Sequence, residues 1–188
     1  DRDKAIHAQP GAENAAAGSG ITRRVADELF DCGVDALTSG DHIWKKKDIF
    51  EFIDKDPRIL RPANFPAGAP GCGYGLFTPL ETEHRRCPMA AYGSLSLTGF
   101  TAKNAVKVGV INVNGRVFME ALECPFKTAL KACEELAAET KIIIVDIHAE
   151  ATSEKVALGW YLDGKVSAIF GTHTHIQTAD EKILPRGA

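Results

Sequence analysis

The sequence lacks the features that define several large protein classes. Its 188 residues include five cysteines, an odd number, and none is spaced as a Cys-x-x-Cys pair. This pattern argues against a disulfide framework or a zinc knuckle and favours free thiols in a reducing cytoplasm. No apolar run approaches the roughly 20 residues that a membrane-spanning helix needs, so we expect no membrane partner.

Charge and catalytic motifs exclude further classes. The chain carries 22 basic and 25 acidic residues, a formal net charge of −3, which argues against stable nucleic-acid binding through a basic surface. It contains no Gly-x-Ser-x-Gly nucleophile elbow, no Walker A loop and no catalytic-cysteine signature. The hydrophobic fraction of 45% is ordinary for a globular protein, and this length predicts a single domain over residues 1–188.

Histidines, in contrast, follow predicted strands. The apolar residues 166–170 predict a buried strand, and His173 and His175 come directly after it. Residues i and i+2 of an extended chain share a face, so we expect both imidazoles to serve one cluster. A lone His-x-His pair is more often structural than metal-binding, and the inference therefore depends on further examples.

Two other apolar runs end in the same way. Residues 142–147 lead into His148, and residues 34–40 lead into Asp41 and His42. In open α/β sheets, sites form where loops leave the carboxyl ends of the strands. Several imidazoles and a carboxylate delivered to one such edge predict a metal site.

The pattern around these residues is α/β, with helices and strands in alternation. Amphipathic helices are predicted between Thr22 and Gly33 and over residues 45–53, 127–139 and 154–162. Thr152 or Ser153 is expected to cap the last of them. Asn114-Gly115 predicts a β-hairpin, and residues 61–105 predict a long irregular connection.

Oxygen ligands are also available near the start of the chain. Glu13 lies in a glycine-containing stretch that permits tight turns beside a metal, although spacing alone favours a flexible tail. With Glu13, Asp41 and three imidazoles there are enough ligands for two divalent metals, which generate hydroxide and clamp the oxygens of a phosphoester. His42 directly follows a candidate ligand and can protonate the leaving oxygen.

Six segments resemble the YmdB-like metallophosphoesterases, bacterial members of the calcineurin-like superfamily. They are residues 11–16, 40–44, 61–66, 115–119, 146–155 and 171–178. The resemblance implies a four-layer α/β/β/α sandwich with two divalent metal ions (Fe, Mn, Mg or Zn). It also implies hydrolysis of a small phosphodiester, including 2′,3′-cyclic nucleotides, by a metal-bound hydroxide.

The resemblance assigns individual roles as well. The implied metal ligands are Glu13, Asn14, Asp41, His148, His173 and His175. Glu13 would bridge the metals, His148 and His173 would hold one metal, and His175 would hold the other. His42 would occupy the general-acid position.

The sequence departs from the family pattern in several respects. No Gly-Asp strand precedes the Glu-Asn element, so we expect the fold to be incomplete at its N- and C-terminal segments. Asp41 stands where Asn is usual, and residues 78–104 look longer than the corresponding loop. These departures leave open a catalytically degenerate protein that binds a metal or nucleotide and regulates, and a homo-oligomer paired through strand edges.

Overall fold

Helices and strands alternate along the chain in a mixed α/β fold. The computed structural model describes residues 8–9, 12, 15–16, 20–78 and 106–188. The strands in these ranges are β1 (Ala8–Gln9), β2 (Ala36–Thr38), β3 (Ile59–Leu60), β4 (Tyr74–Phe77), β5 (Val108–Asn114), β6 (Ile143–His148) and β7 (Ala168–Thr172). The helices are α1 (Arg23–Asp31), α2 (Ile49–Phe52), α3 (Pro125–Leu136) and α4 (Thr152–Leu162), with a 3-10 turn at Asp41–Lys45. No helix among the described residues is long and apolar enough to cross a membrane.

The strands form two sheets whose carboxyl ends meet. The smaller sheet has the order β1-β2-β3, and all of its strands are parallel. The larger has the order β4-β5-β6-β7, in which β4 is antiparallel to β5 and the other pairs are parallel. Its register aligns Asn114 with His148, and His148 with Thr172. The carboxyl ends of β5, β6 and β7 therefore lie side by side.

Apolar clusters hold the helices against the sheets. One cluster joins α1 to β2 and β3 through side chains that include Ala26, Leu37 and Ile59. A larger one joins α3 and α4 to β5 and β6 and includes Ala129, Val145, Ile147, Leu158 and Leu162. Full burial of one aliphatic side chain contributes about 1.5–3 kcal/mol, so these clusters fix the positions of the strands.

The two sheets also contact each other directly. A third cluster brings Ala36 and Leu60 of the smaller sheet against Val108 and Val110 of the larger. The buried side chain of Asn112 adds polar contacts, because its Nδ2 donates to the carbonyls of Ser39 (2.8 Å) and Leu60 (3.0 Å). The end of β2 is thereby fixed relative to the larger sheet.

Several local predictions are confirmed. Thr22 caps α1 by accepting a hydrogen bond from the Val25 N–H, and strands occur before Asp41, at His148 and before His173. The helix predicted over residues 45–53 is shorter than expected, since α2 covers only Ile49–Phe52. Within the predicted irregular connection, residues 61–105, the described part includes the strand β4, and residues 79–105 lie outside the described ranges.

The hairpin predicted at Asn114-Gly115 is wrong. The Asn64 side chain accepts from the Asn114 N–H (2.8 Å) and donates to the Asn114 carbonyl (2.8 Å). The Glu154 carboxylate accepts from the N–H groups of Arg116 (3.0 Å) and Val117 (3.2 Å). Side chains from distant positions thus satisfy the backbone groups that a returning strand would have paired.

Two predictions about the C-terminal third are also wrong. Neither Thr152 nor Ser153 caps α4, which begins at Thr152 itself and has no side-chain cap. The strand after it is not buried, because Ala168 and Gly171 are exposed and the other residues of β7 are only partly covered. Among the described strands, β7 pairs with β6 alone and lies at the edge of the sheet.

Candidate metal centre

Three side chains meet at the carboxyl ends of β2, β6 and β7, and we call Asp41, His148 and His173 the Asp-His-His cluster. His148 Nε2 lies 3.1 Å from Asp41 Oδ1 and 3.0 Å from His173 Nδ1. The distance from His173 Nδ1 to Asp41 Oδ1 is 4.0 Å. Among the described residues, this is the group of three or more His, Cys, Asp or Glu side chains whose donor atoms could hold a metal ion.

A glycine allows the two sheets to approach each other at this point. A β-carbon on Gly40 would overlap the imidazole ring of His148. The absence of a side chain at Gly40 therefore brings Asp41, the next residue, within contact distance of that ring.

The backbone after β7 leaves the extended conformation immediately. His173 and His175 have φ angles of 94° and 54°, values that residues other than glycine seldom adopt. The expectation that both imidazoles share one face of an extended strand is therefore wrong. His173 joins the cluster, whereas His175 is exposed and outside it, and a ligand role for His175 stays a prediction.

His42 lies next to the cluster on a more open side. Its Nε2 is 3.8 Å from Asp41 Oδ2, and 38% of its side chain is exposed. The predicted ligands Glu13 and Asn14 lie outside the described residues. The described part of the site thus consists of the cluster and His42.

Each histidine of the cluster has a second partner that the sequence analysis did not identify. His148 Nδ1 lies 3.0 Å from Thr172 Oγ1, and His173 Nε2 lies 3.0 Å from Glu150 Oε2. The Thr172 hydroxyl in turn donates to Asp146 Oδ1 at 2.9 Å. The sequence contained a signal for these partners. Asp146 and His148 are two residues apart in β6 and therefore share a face, and Thr172 lies beside His148 in the neighbouring strand.

The electrostatics of His148 favour its neutral form. Burial and, to a lesser extent, the neighbouring His173 lower the pKa of His148, Asp41 acts in the opposite direction, and the net value is about 4. His148 is therefore unprotonated on one ring nitrogen near neutral pH, and this is the form of imidazole that binds metals.

The donor set fits a first-row divalent metal. Two imidazole nitrogens and a carboxylate oxygen are ligands that Mn, Fe, Co and Zn accept. Neighbouring donors on one metal, each at a bond length of about 2.1 Å, lie about 3.0–3.4 Å apart. The separations of 3.0 and 3.1 Å at His148 Nε2 agree with this range, whereas the 4.0 Å between His173 Nδ1 and Asp41 Oδ1 is longer.

Sequence comparison relates the chain to characterised bacterial proteins. A family model described as YmdB-like protein matches residues 10–96 and 86–188. A 2′,3′-cyclic-nucleotide 2′-phosphodiesterase of Bacillus subtilis (strain 168) is 45% identical over 175 residues, which make up 93% of this chain and 57% of that protein.

Two crystal structures share the fold. A hypothetical protein from Thermus thermophilus superposes with a TM-score of 0.77 at 35% identity, covering 97% of this chain and 61% of that one. A novel phosphatase from Mycoplasma pneumoniae gives a TM-score of 0.74 at 28% identity, covering 97% and 58%. The chain therefore spans less than two thirds of the length of these relatives.

Proposed function

The chain belongs to the YmdB-like protein family, and from this premise we propose that it is a metal-dependent phosphodiesterase. The observation that carries the proposal is the Asp-His-His cluster, in which three strand ends bring metal-binding atoms to within 3.0–4.0 Å of one another. The substrate we propose is a small phosphodiester such as a 2′,3′-cyclic nucleotide, the class named for the Bacillus subtilis relative.

We propose two divalent ions (Fe, Mn, Mg or Zn) as the cofactors. The cluster supplies donors for one of them, and Glu13, Asn14 and His175 are the remaining candidates for the other. When bound, such ions lower the pKa of a water molecule and neutralise the charge of a phosphate. The part of this chain is to hold the ions and to orient the substrate between them and His42.

His42 is proposed as the general acid. Its imidazole adjoins Asp41 and is partly open to solvent, so a substrate bound at the cluster would lie within its reach. Cleavage of the 2′-oxygen–phosphorus bond leaves an alkoxide, which is a poor leaving group unless it is protonated. An imidazole in this place supplies that proton as the bond breaks.

We also propose that residues 1–188 form one domain with the four-layer α/β/β/α architecture. The support is the order of the apolar clusters: α1 on the smaller sheet, the two sheets against each other, and α3 and α4 on the larger sheet. The cytoplasmic location expected from the number and spacing of the cysteines stays a prediction.

Leaving-group dependence tests the function and the role of His42 together. Metal-loaded protein should convert 2′,3′-cyclic AMP to 3′-AMP, and His42→Ala should lower this rate by about 10²–10⁴-fold. The same variant should retain most of its rate on bis(p-nitrophenyl) phosphate, whose leaving group needs no proton.

Two results would count against this proposal. Equal losses on both substrates would show that His42 is not the acid. Metal binding without turnover of either substrate by the unaltered chain would favour a regulatory binding protein instead.

A further inference from the structure

A chain of hydrogen bonds, buried at Thr38 and Asp146 and partly exposed at Thr172, leads from the smaller sheet to His148. Thr38 Oγ1 donates to Asp146 Oδ2 at 2.6 Å, and Thr172 Oγ1 donates to Asp146 Oδ1 at 2.9 Å. His148 Nδ1 then lies 3.0 Å from Thr172 Oγ1. Thr38 and Asp146 are fully buried, and the His148 side chain is 1% exposed. Water therefore has little access to Thr38, Asp146 and His148 and cannot readily replace their hydrogen-bond partners.

The number of hydrogens available decides the direction of the bond to His148. A threonine hydroxyl has one hydrogen, and an ionised carboxylate can only accept. Because Thr172 gives its hydrogen to Asp146, its oxygen can only accept from His148. The hydrogen of the neutral imidazole must then be on Nδ1, which leaves a lone pair on Nε2.

This lone pair faces the metal-binding atoms. His148 Nε2 is the atom that lies 3.1 Å from Asp41 Oδ1 and 3.0 Å from His173 Nδ1. Two acceptors as close as Nε2 and Asp41 Oδ1 repel each other, and a cation bound between them removes this repulsion. The tautomer that Thr172 selects is thus the one that suits a bound metal.

The surroundings of Asp146 include a compensating charge. The side chain of Lys155 interacts electrostatically with both Asp146 and Glu150. A β-carbon on Gly171 would overlap the Lys155 side chain, so glycine at this position of β7 keeps room for that lysine. Both carboxylate oxygens of Asp146 act as acceptors for threonine hydroxyls, which is the arrangement that the hydrogen-bond accounting uses.

We propose that Asp146 is a positioning residue which, through Thr172, fixes the Nδ1–H tautomer of His148 and directs the Nε2 lone pair at the metal site. The inference rests on the metal site proposed above. A group that is hydrogen-bonded to the second ring nitrogen of a metal-binding histidine generally orients the ring. Loss of such a group weakens metal binding by about 10–100-fold. Asp146 would act on the metal without contacting it.

The chain offers a matched pair of variants for the test. Thr172→Val and Thr38→Val each remove one hydroxyl that donates to Asp146, and the Thr172 hydroxyl is the one that lies 3.0 Å from His148 Nδ1. Co²⁺ titration should show affinity about 10–100-fold lower for Thr172→Val and near the wild-type value for Thr38→Val. Thr172→Ser, which keeps the hydroxyl, should restore binding. Equal losses for Thr172→Val and Thr38→Val would overturn the proposal.

A second readout does not depend on bound metal. In nitrogen-15 NMR of the metal-free wild-type chain, the His148 signals, assigned with His148→Gln, should show a protonated Nδ1 and an unprotonated Nε2. Asp146→Asn should mix the two tautomers, because an amide can also donate and so releases the Thr172 hydroxyl. A wild-type His148 protonated on Nε2, or an unchanged tautomer in Asp146→Asn, would overturn the inference.

If the wild-type chain failed to bind Co²⁺, the metal site itself would be refuted, and the tautomer would still be decided by these spectra.

Discussion

The two sides of the Asp-His-His cluster differ in how firmly they are built. On the histidine side, β6 and β7 have six and five residues, and each imidazole has a second partner. On the carboxylate side, β2 has three residues, and Asp41 begins a 3-10 turn with 25% of its side chain exposed. A long paired strand thus holds His148 on the histidine side, whereas Asp41 follows a short strand in a turn. His173 follows β7 and has 26% of its side chain exposed, so the contrast is between His148 and Asp41.

This difference indicates how binding energy would be used. Side chains already held in place lose little entropy when a metal binds, whereas a partly exposed side chain on a turn must be ordered. We therefore expect His148 to keep its position without metal. We expect Asp41 to become more ordered when a metal is bound.

The largest loss of metal affinity should come from removing His148, the most firmly held ligand of the cluster. His148→Ala should lower Mn²⁺ affinity by more than about 100-fold, since it removes a pre-oriented donor in contact with both other members. Asp41→Ala should have a smaller effect, because its donor is less constrained. Calorimetric titration measures both, with the exposed Asp48→Ala as the control. A larger loss for Asp41→Ala would reverse the comparison.

Gly40→Ala tests the contact between the two sides. Its β-carbon would overlap the His148 ring, so we expect a loss of about 1–3 kcal/mol in the free energy of unfolding together with weaker metal binding. Gly159→Ala, in the middle of α4, is a suitable control because its new β-carbon meets only Leu184 at an ordinary 3.9 Å. Urea unfolding that leaves Gly40→Ala as stable as wild type would contradict the close approach.

Acid should weaken the smaller sheet through Asp56. Hydrogen bonds from Arg58 hold the pKa of this carboxyl below its usual value, opposed by burial and assisted by Arg23. A pKa that is lower in the folded state adds stability at pH values above the unfolded carboxyl pKa of about 3.9, and this contribution is lost as the pH falls through the folded pKa.

Asp56→Asn measures this contribution. The variant should be about 1–3 kcal/mol less stable than wild type at pH 7 in urea unfolding, the usual range for hydrogen bonds to a charged group. The difference should shrink at pH 3. A difference that is unchanged between pH 7 and pH 3 would show that the Arg58 pair is not its source.

The smallest effect is expected at Glu150. This residue contacts His173 Nε2 at 3.0 Å, but 49% of its side chain is exposed, so water can replace it. Glu150→Gln should therefore weaken Mn²⁺ binding by less than about 10-fold, and less than Thr172→Val does. If Glu150→Gln lost more Mn²⁺ affinity than Thr172→Val, solvent exposure would not explain how much each residue contributes to metal binding.

The strands that carry the cluster could be predicted because their signal is local. Largely apolar runs lead into Asp41, His148 and His173, and the rule that parallel strands present their carboxyl ends at one edge brings these residues together. Thr22 was likewise predictable as a cap. Threonine is favoured at the N-cap, and the helix that it caps begins at the next residue.

The failures have a common cause in contacts between distant residues. Asn64 and Glu154 take the backbone groups at Asn114-Gly115, so the hairpin signal is overridden. The positive φ of His173 separates it from His175, and Asp146 reads as an ordinary strand residue until the fold brings it beside Thr172. Contacts between residues so far apart leave no periodicity in the sequence; the signal that remains is that Asp146 and His148, two residues apart, share a face of β6.

The most direct test of the proposed activity is hydrolysis of bis(p-nitrophenyl) phosphate by metal-stripped protein with and without added Mn²⁺. We predict turnover that requires Mn²⁺ and is lost in His148→Ala. Absence of turnover at saturating Mn²⁺, or turnover that His148→Ala leaves unchanged, would contradict the proposal that the Asp-His-His cluster is a catalytic metal centre.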